Sequence, residues 1–220
     1  MVLDKEQKAA VETKKRNVLI ASCPGSGKTR TITERIKFLL NNKEKSSEIF
    51  AITYTNAAAQ EMRNRINNSE VFIGTIHSLA NRILLLNGID TSKYLDNENF
   101  NGLFEEIKNK KPEIPKIKHL LVDEFQDICE NEYEFISNIL KPENFFYCGD
   151  SCQSIFSFKG SNYKYFMDIL NSPFTTLYKL KNNYRCGQEI IDFADVFLDN
   201  MSDIYKVDSN CKSNIIGDVE

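Results

Sequence analysis

No stretch of this 220-residue chain approaches the roughly 18 consecutive apolar residues that a membrane helix needs. Charge enters already at Asp4 and Lys5, so no secretory leader is read at the N-terminus, and a cytoplasmic protein without a membrane partner is expected. Histidine is scarce (His77 and His119), and the six cysteines, at 23, 129, 148, 152, 186 and 211, include no Cys-x-x-Cys pair. Zinc and iron–sulfur sites need clustered thiolate and imidazole ligands, so neither is expected, and the thiols read as reduced and structural. Basic charge is not in excess either. The net charge of −3 speaks against a broad positive face for duplex DNA, while leaving room for a narrow single-strand groove of stacking side chains and helix N-termini. What remains is 41% hydrophobic and 27% charged, as in a globular domain. The length suits one substantial α/β domain with a small appendage.

What is present is organised around residues 18–30. Val18 to Ala21 is a short apolar run that reads as a buried strand, and Thr29 to Leu40 carries Ile32, Ile36, Leu39 and Leu40 at helical spacing. Between them lies a turn containing Pro24, Gly25, Ser26 and Gly27. Strand, glycine turn and helix are the setting of a phosphate-binding loop. Its two glycines let successive N–H groups curl inward, and the helix N-terminus adds the positive end of its dipole. Lys28 is placed to reach β- and γ-phosphates, and the Thr29 hydroxyl to ligate Mg²⁺. Ser22 stands where this pattern usually has glycine. The chain is therefore expected to bind a nucleoside triphosphate.

Upstream, Asp4 reads as a helix N-cap with Gln7 three residues later, as in a capping box. Gln7 has a second reading, in which its amide reads an adenine edge, and the two are compatible. Residues 48–53 form a second apolar strand, after which Tyr54, Thr55 and Asn56 lead into an Ala-rich helix with Thr55 or Asn56 as cap. A third strand over 71–75 ends in Thr75, Ile76, His77 and Ser78 before a helix to Leu86. His77 reads either as a surface or capping histidine or as a ligand contact, since the tops of parallel strands are where such sheets bind ligands. Residues 88–117 break the alternation: they are rich in Asn and Lys, carry Pro112 and Pro115, and accommodate a short helix over 98–109. They read as a small inserted segment whose lysines either touch a nucleic-acid backbone or are simply solvated.

The second strong signal is residues 117–127, where an apolar strand delivers Asp123 and Glu124 to its C-terminal end. In a phosphate site two adjacent acids have separate tasks. Asp123 holds Mg²⁺ through its water shell, and Glu124 orients and deprotonates the attacking water. A further strand over 145–149 precedes Gln153, placed to sense a γ-phosphate, and Phe156 and Phe158, which are either core plugs or a stacking platform for bases. A last strand over 177–180 leads to Tyr184 and Arg185. An amphipathic helix over about 188–201 follows, with Asp192, Asp195 and Asp199 on a solvated face.

In their order these stretches resemble the UvrD/Rep-type superfamily-1A DNA helicases, over Leu3 to about Met201. Residues 3–7 match that family's Q motif, 21–30 its Walker A loop, 53–63 motif Ia and 74–78 the next DNA-contacting motif. Residues 122–127 match its Walker B motif, 149–160 motif III and 183–185 motif IV. The resemblance implies a motor that moves 3′ to 5′ on single-stranded DNA and hydrolyses ATP between two RecA-like domains. By the same resemblance, Gln7 and Arg30 contact adenine and Tyr184 stacks on it. Gln153 couples the γ-phosphate to DNA, and Arg185 serves as an arginine finger, a device worth about 10³ to 10⁵ in rate. Tyr54, Thr55, Asn56, Thr75, His77, Phe156 and Phe158 line the DNA track. The family usually has Trp where this chain has Phe158, and no Trp occurs anywhere. Weaker stacking is expected there.

The expected architecture is a RecA-like P-loop NTPase, a parallel sheet flanked by helices with a small inserted helical segment. Residues 1–87 and 118–201 form the ATP-binding domain, 88–117 a reduced inserted subdomain, and 202–220 a linker toward a second RecA-like domain absent from the chain. The expected function is the ATP- and Mg²⁺-dependent motor domain of a DNA helicase acting in repair or recombination, slow by itself. The alternatives are a nucleotide-dependent binding module and a motor half completed by a companion protein in a nuclease or anti-phage complex.

Overall fold

The computed structural model describes residues 2–150, 162–199 and 211–213. Gln153, Phe156 and Phe158 lie outside these residues. Six strands form one sheet: β1 (Asn17–Ser22), β2 (Ile49–Ile52), β3 (Phe72–Gly74), β4 (His119–Val122), β5 (Asn144–Gly149) and β6 (Thr176–Leu180), in the spatial order β3-β2-β4-β5-β1-β6. Every pairing is parallel. This is the expected α/β sheet, and the interiors of its central strands are apolar because helices cover both faces. Residues alternate between two cores. Val18, Ile20, Ala51 and Leu121 face one side with α1 (Lys5–Glu12), α2 (Lys28–Asn41) and α3 (Asn56–Ile66). Leu19, Ala21, Ile52 and Val122 face the other with α4 (Ile76–Leu86).

The segment after α4 holds α5 (Ser92–Leu95) and α6 (Asn101–Lys110). The helix starts a few residues later than the sequence suggests. Leu103, Phe104 and Ile107 of α6 are buried in the same core as α4 and the sheet, so the segment is anchored to the main domain by its apolar face. Two further helical stretches had no clear signal in the sequence. One is α7 (Glu130–Glu134), which runs into a wider π-helical turn at Phe135–Leu140. There Phe135, Ile136 and Leu140 are buried in the core. The other is α8 (Lys164–Asn171), which turns Phe166 into the core. Beyond β6, the two-residue strands β7 (Asn182–Asn183) and β8 (Lys212–Ser213) pair in parallel, flanking α9 (Gln188–Asp199) in sequence. No helix among the described residues is long and apolar enough to cross a membrane.

The cysteine expectation needs one correction. The structure bonds Cys23 to Cys211 across 188 residues, while Cys129, Cys148 and Cys186 are free. The partners meet because the β7–β8 pair lies beside the end of β1, a proximity that spacing along the chain does not reveal.

Phe104 is fully buried, with ring centroids 5.3 Å from His77 and 5.1 Å from Phe135. Phe104→Ala should therefore cost about 3–5 kcal/mol of stability, read from the midpoint of urea unfolding. A loss below about 1 kcal/mol would mean that the inserted segment does not share the domain's core.

Candidate functional site

The turn between β1 and α2 has the shape of an anion cradle. Gly25 and Gly27 have φ of +71° and +82°, a region that β-carbons disfavour. Space forbids substitution as firmly as the dihedrals do. A Cβ on Gly25 would stand 2.6 Å from Asn183 Oδ1, and one on Gly27 would stand 2.9 Å from Gln7 Nε2. Gly27 is also the N-cap of α2, so the first-turn N–H groups of that helix open toward the loop. Ser22, at the position where glycine is usual, ends β1 and donates its hydroxyl to the Gly149 carbonyl at 3.3 Å.

Two elements brace this loop from outside. The expected capping box forms: the Asp4 carboxylate accepts from Gln7 N–H at 2.7 Å, and Gln7 Oε1 accepts from Asp4 N–H at 3.1 Å. Gln7 Nε2 then donates to the Ser26 carbonyl at 2.9 Å, in a residue only 1% exposed. From the other side Asn183 Nδ2 donates to the Pro24 carbonyl at 2.9 Å, and Tyr184 N–H to the Gly25 carbonyl at 2.9 Å. The Tyr184 hydroxyl donates to Asp4 Oδ2 at 2.6 Å, which ties the two braces together. Arg185 lies with its Cβ against Gly25 and its side chain exposed, and Arg30 is half-buried one turn into α2.

The acidic pair sits opposite. Thr29 Oγ1 donates to Asp123 Oδ2 at 2.9 Å, and Lys28 Nζ lies 3.8 Å from Glu124 Oε2. Glu124 is in the left-handed region at φ 52°, which turns its carboxylate back toward Lys28. Burial, reinforced by the charge of Glu124, pushes the Asp123 carboxyl up to about 6, and the same two causes push Asp127 up to about 6. A triphosphate and a divalent cation fit these residues. The Ser26 hydroxyl is buried without a partner inside the loop, and the Thr29–Asp123 pair is an oxygen-only donor set of the kind Mg²⁺ prefers.

The expected DNA-track residues gather at the ends of β2 and β3. Thr55 caps α3, accepting from Ala58 N–H at 3.1 Å, and Thr75 caps α4, accepting from Ser78 N–H at 3.1 Å. Tyr54, Thr55 and Asn56 are exposed. His77 is half-buried with Nε2 3.8 Å from Glu132 Oε1, and burial lowers its pKa despite that carboxylate. A cavity of about 460 Å³ opens here, lined by Tyr54, Thr75, His77, Phe100, Glu124 and Asp127 among others. Phe100, from the inserted segment, stands 5.4 Å from the His77 ring. Gln153, Phe156 and Phe158 are outside the described residues, so their placement relative to this cavity is not part of the geometry.

Sequence reasoning passed over Gln126, Asn183 and Phe100. Asn183 lay within the motif matched at 183–185 but was given no role, because a brace on a loop carbonyl leaves no pattern of its own. Phe100 sits in a polar stretch, where nothing local shows which strand end it will meet.

Comparison with known proteins bears on the same residues. The family model for the UvrD/REP helicase N-terminal domain matches residues 3–111 and 89–173. A candidate ATP-dependent DNA helicase of Acanthamoeba polyphaga mimivirus is 32% identical over 203 residues, covering 80% of this chain and 27% of that protein. DNA helicase II of Haemophilus influenzae is 26% identical over 296 aligned positions, covering 91% and 41%. That alignment is longer than the chain itself, so the relative carries residues with no counterpart here. Pif1 helicase from Candida albicans superposes with a TM-score of 0.52 at 20% identity, covering 89% of this chain and 43% of that one, a likeness of fold. The chain spans less than half the length of each of these proteins.

The buried Asp123 charge should weaken the unliganded fold. Its folded-state pKa is raised, so the penalty is absent below the unfolded value of 3.8 and complete above about 6. Asp123→Asn should therefore stabilise the nucleotide-free chain at pH 7.5 by about 1–3 kcal/mol, with a much smaller gain at pH 4.5. Thermal melts at the two pH values check this. Equal gains at both would remove charge burial as the cause.

Proposed function

The chain belongs to the UvrD/REP helicase family, and from that membership we propose that it is the ATP-binding motor domain of an ATP-dependent DNA helicase or translocase. The observation that carries the reading is the meeting of Lys28, Thr29, Asp123 and Glu124 at one sheet edge, from segments 94 residues apart. In this reading the curled backbone at Gly25, Ser26 and Gly27 and the Lys28 ammonium hold the β- and γ-phosphates. Thr29 and Asp123 hold Mg²⁺, which when bound draws charge away from the transferring phosphoryl group. Glu124 accepts the proton of the attacking water and aims its lone pair in line. Arg30 and Tyr184 sit where the base leaves the loop. Gln7 braces the Ser26 carbonyl and contributes to adenine recognition only through its remaining N–H. Arg185 provides the in-place cation of an arginine finger, and Gln153 the sensor of the γ-phosphate.

Single-stranded DNA crosses the ends of β2 and β3, along Tyr54, Thr55, Asn56, Thr75 and His77, with Phe156 and Phe158 as further stacking surfaces. The cavity beside them takes an unstacked base against His77 and Phe100. Residues 1–87 and 118–201 act as one RecA-like unit, with 88–117 as a reduced inserted subdomain and 202–220 leading toward a second such domain that closes the cleft. Movement is 3′ to 5′, in the cytoplasm, in repair or recombination. The presence of both Glu124 and Arg185 favours an enzyme over a nucleotide-dependent binding module.

The test is steady-state ATP hydrolysis with and without single-stranded DNA, beside Mg·ATP affinity. Lys28→Ala should remove Mg·ATP binding. Glu124→Gln should keep binding and lower turnover by about 10²- to 10⁴-fold. Native chain that fails to bind Mg·ATP would overturn the phosphate-loop reading, and an unaffected Glu124→Gln would overturn Glu124 as the base.

A further inference from the structure

Gln126 is 2% exposed and uses both ends of its amide. Nε2 donates to Glu124 Oε2 at 2.9 Å and to Asp127 Oδ2 at 3.3 Å, while Oε1 accepts from Asp150 N–H at 3.0 Å. Gly149 makes room for it, since a Cβ there would stand 2.7 Å from Gln126 Oε1. One side chain thus joins the end of β4, where the acids are, to the end of β5, where the chain departs toward residues 151–161.

We propose that Gln126 is the positioning residue for the hydrolytic carboxylate, holding Glu124 against the end of β5 through the backbone of Asp150. The proposal rests on the reading of Glu124 as the base. Holding Oε2 of Glu124 leaves Oε1 as the atom that meets water. The same oxygen pairs with Lys28 Nζ at 3.8 Å, so Oε2 is held from two sides. The left-handed backbone at Glu124 fixes where the side chain starts, and Gln126 fixes where it ends. Because the amide oxygen accepts from the backbone N–H of Asp150, a shift of the β5 end displaces Gln126 and, with it, Glu124.

The experiment compares native chain with Gln126→Met, which keeps length and loses all three hydrogen bonds, and with Gln126→Glu, which keeps shape and cannot donate from its ionised form. Mg·ATP affinity is measured by titration, and hydrolysis by single-turnover assay with protein in excess, with and without single-stranded DNA. Both variants should bind Mg·ATP within about threefold of native and hydrolyse it about 10²-fold more slowly. A rate within about threefold of native, or a parallel loss of affinity and thermal midpoint, would overturn the positioning role. Absence of hydrolysis by native chain would count against the proposed enzyme and not against this contact. The contact is read separately from the Gln126 side-chain amide resonances in ¹⁵N-labelled protein. They should be protected from solvent exchange and should move in Glu124→Gln. Resonances unmoved by that substitution would refute the proposal whatever the turnover.

Discussion

The candidate site depends on one spacing: β1 and β4 run parallel with β5 between them. The glycine loop leaves the end of β1 and the acids leave the end of β4, so one strand width separates the two segments that the proposed triphosphate site joins. The Thr29 hydroxyl closes that gap on one side by donating to Asp123. Ser22 closes it on another through the Gly149 carbonyl, and Gln126 joins β4 to β5 directly. If β5 slipped by one residue, its faces would invert and the two contacts at its end, Ser22 to Gly149 and Asp150 to Gln126, would part. Register is therefore held by the two apolar cores, and the site follows from the register.

The site in turn carries costs that the cores offset. Asp123 and Asp127 are both buried carboxyls with raised pKa values, and Glu124 occupies a backbone region unusual for a side chain of its length. Each is unfavourable for the isolated fold, and each suits a site that receives a cation and polyphosphate. Residues that stabilise and residues that react are segregated accordingly. The strand interiors from Val18 to Ala21 and from Leu120 to Val122 are fully apolar, and the polar residues begin where the strands end.

The inserted segment shows the same economy of position. It is short, yet Phe104 anchors it in the core and Phe100 stands at the rim of the cavity, so a single helix start contributes one residue to stability and one to the surface beside the strand ends. His77 touches both rings, which links the third strand's end to this segment more closely than its isolated place in the sequence suggests.

The phosphate loop, the acid pair and the strand–helix alternation were legible from the chain alone, because each depends on local chemistry. Glycines where φ is positive, apolar runs of strand length and a hydroxyl beside a lysine act within a few residues of one another. The capping box at Asp4 and Gln7 was legible for the same reason. The helical stretch at 130–140 was passed over, a short run lying between two stronger strand signals. The Cys23–Cys211 bond, the brace from Asn183, the meeting of Phe100 with His77 and the double engagement of Gln126 join residues far apart in sequence or across strand ends. The sequence by itself determined which chemistry the chain carries. Only the tertiary structure decided which side chains hold that chemistry in place, because the order of strands in the sheet sets those distances and no local signal encodes it.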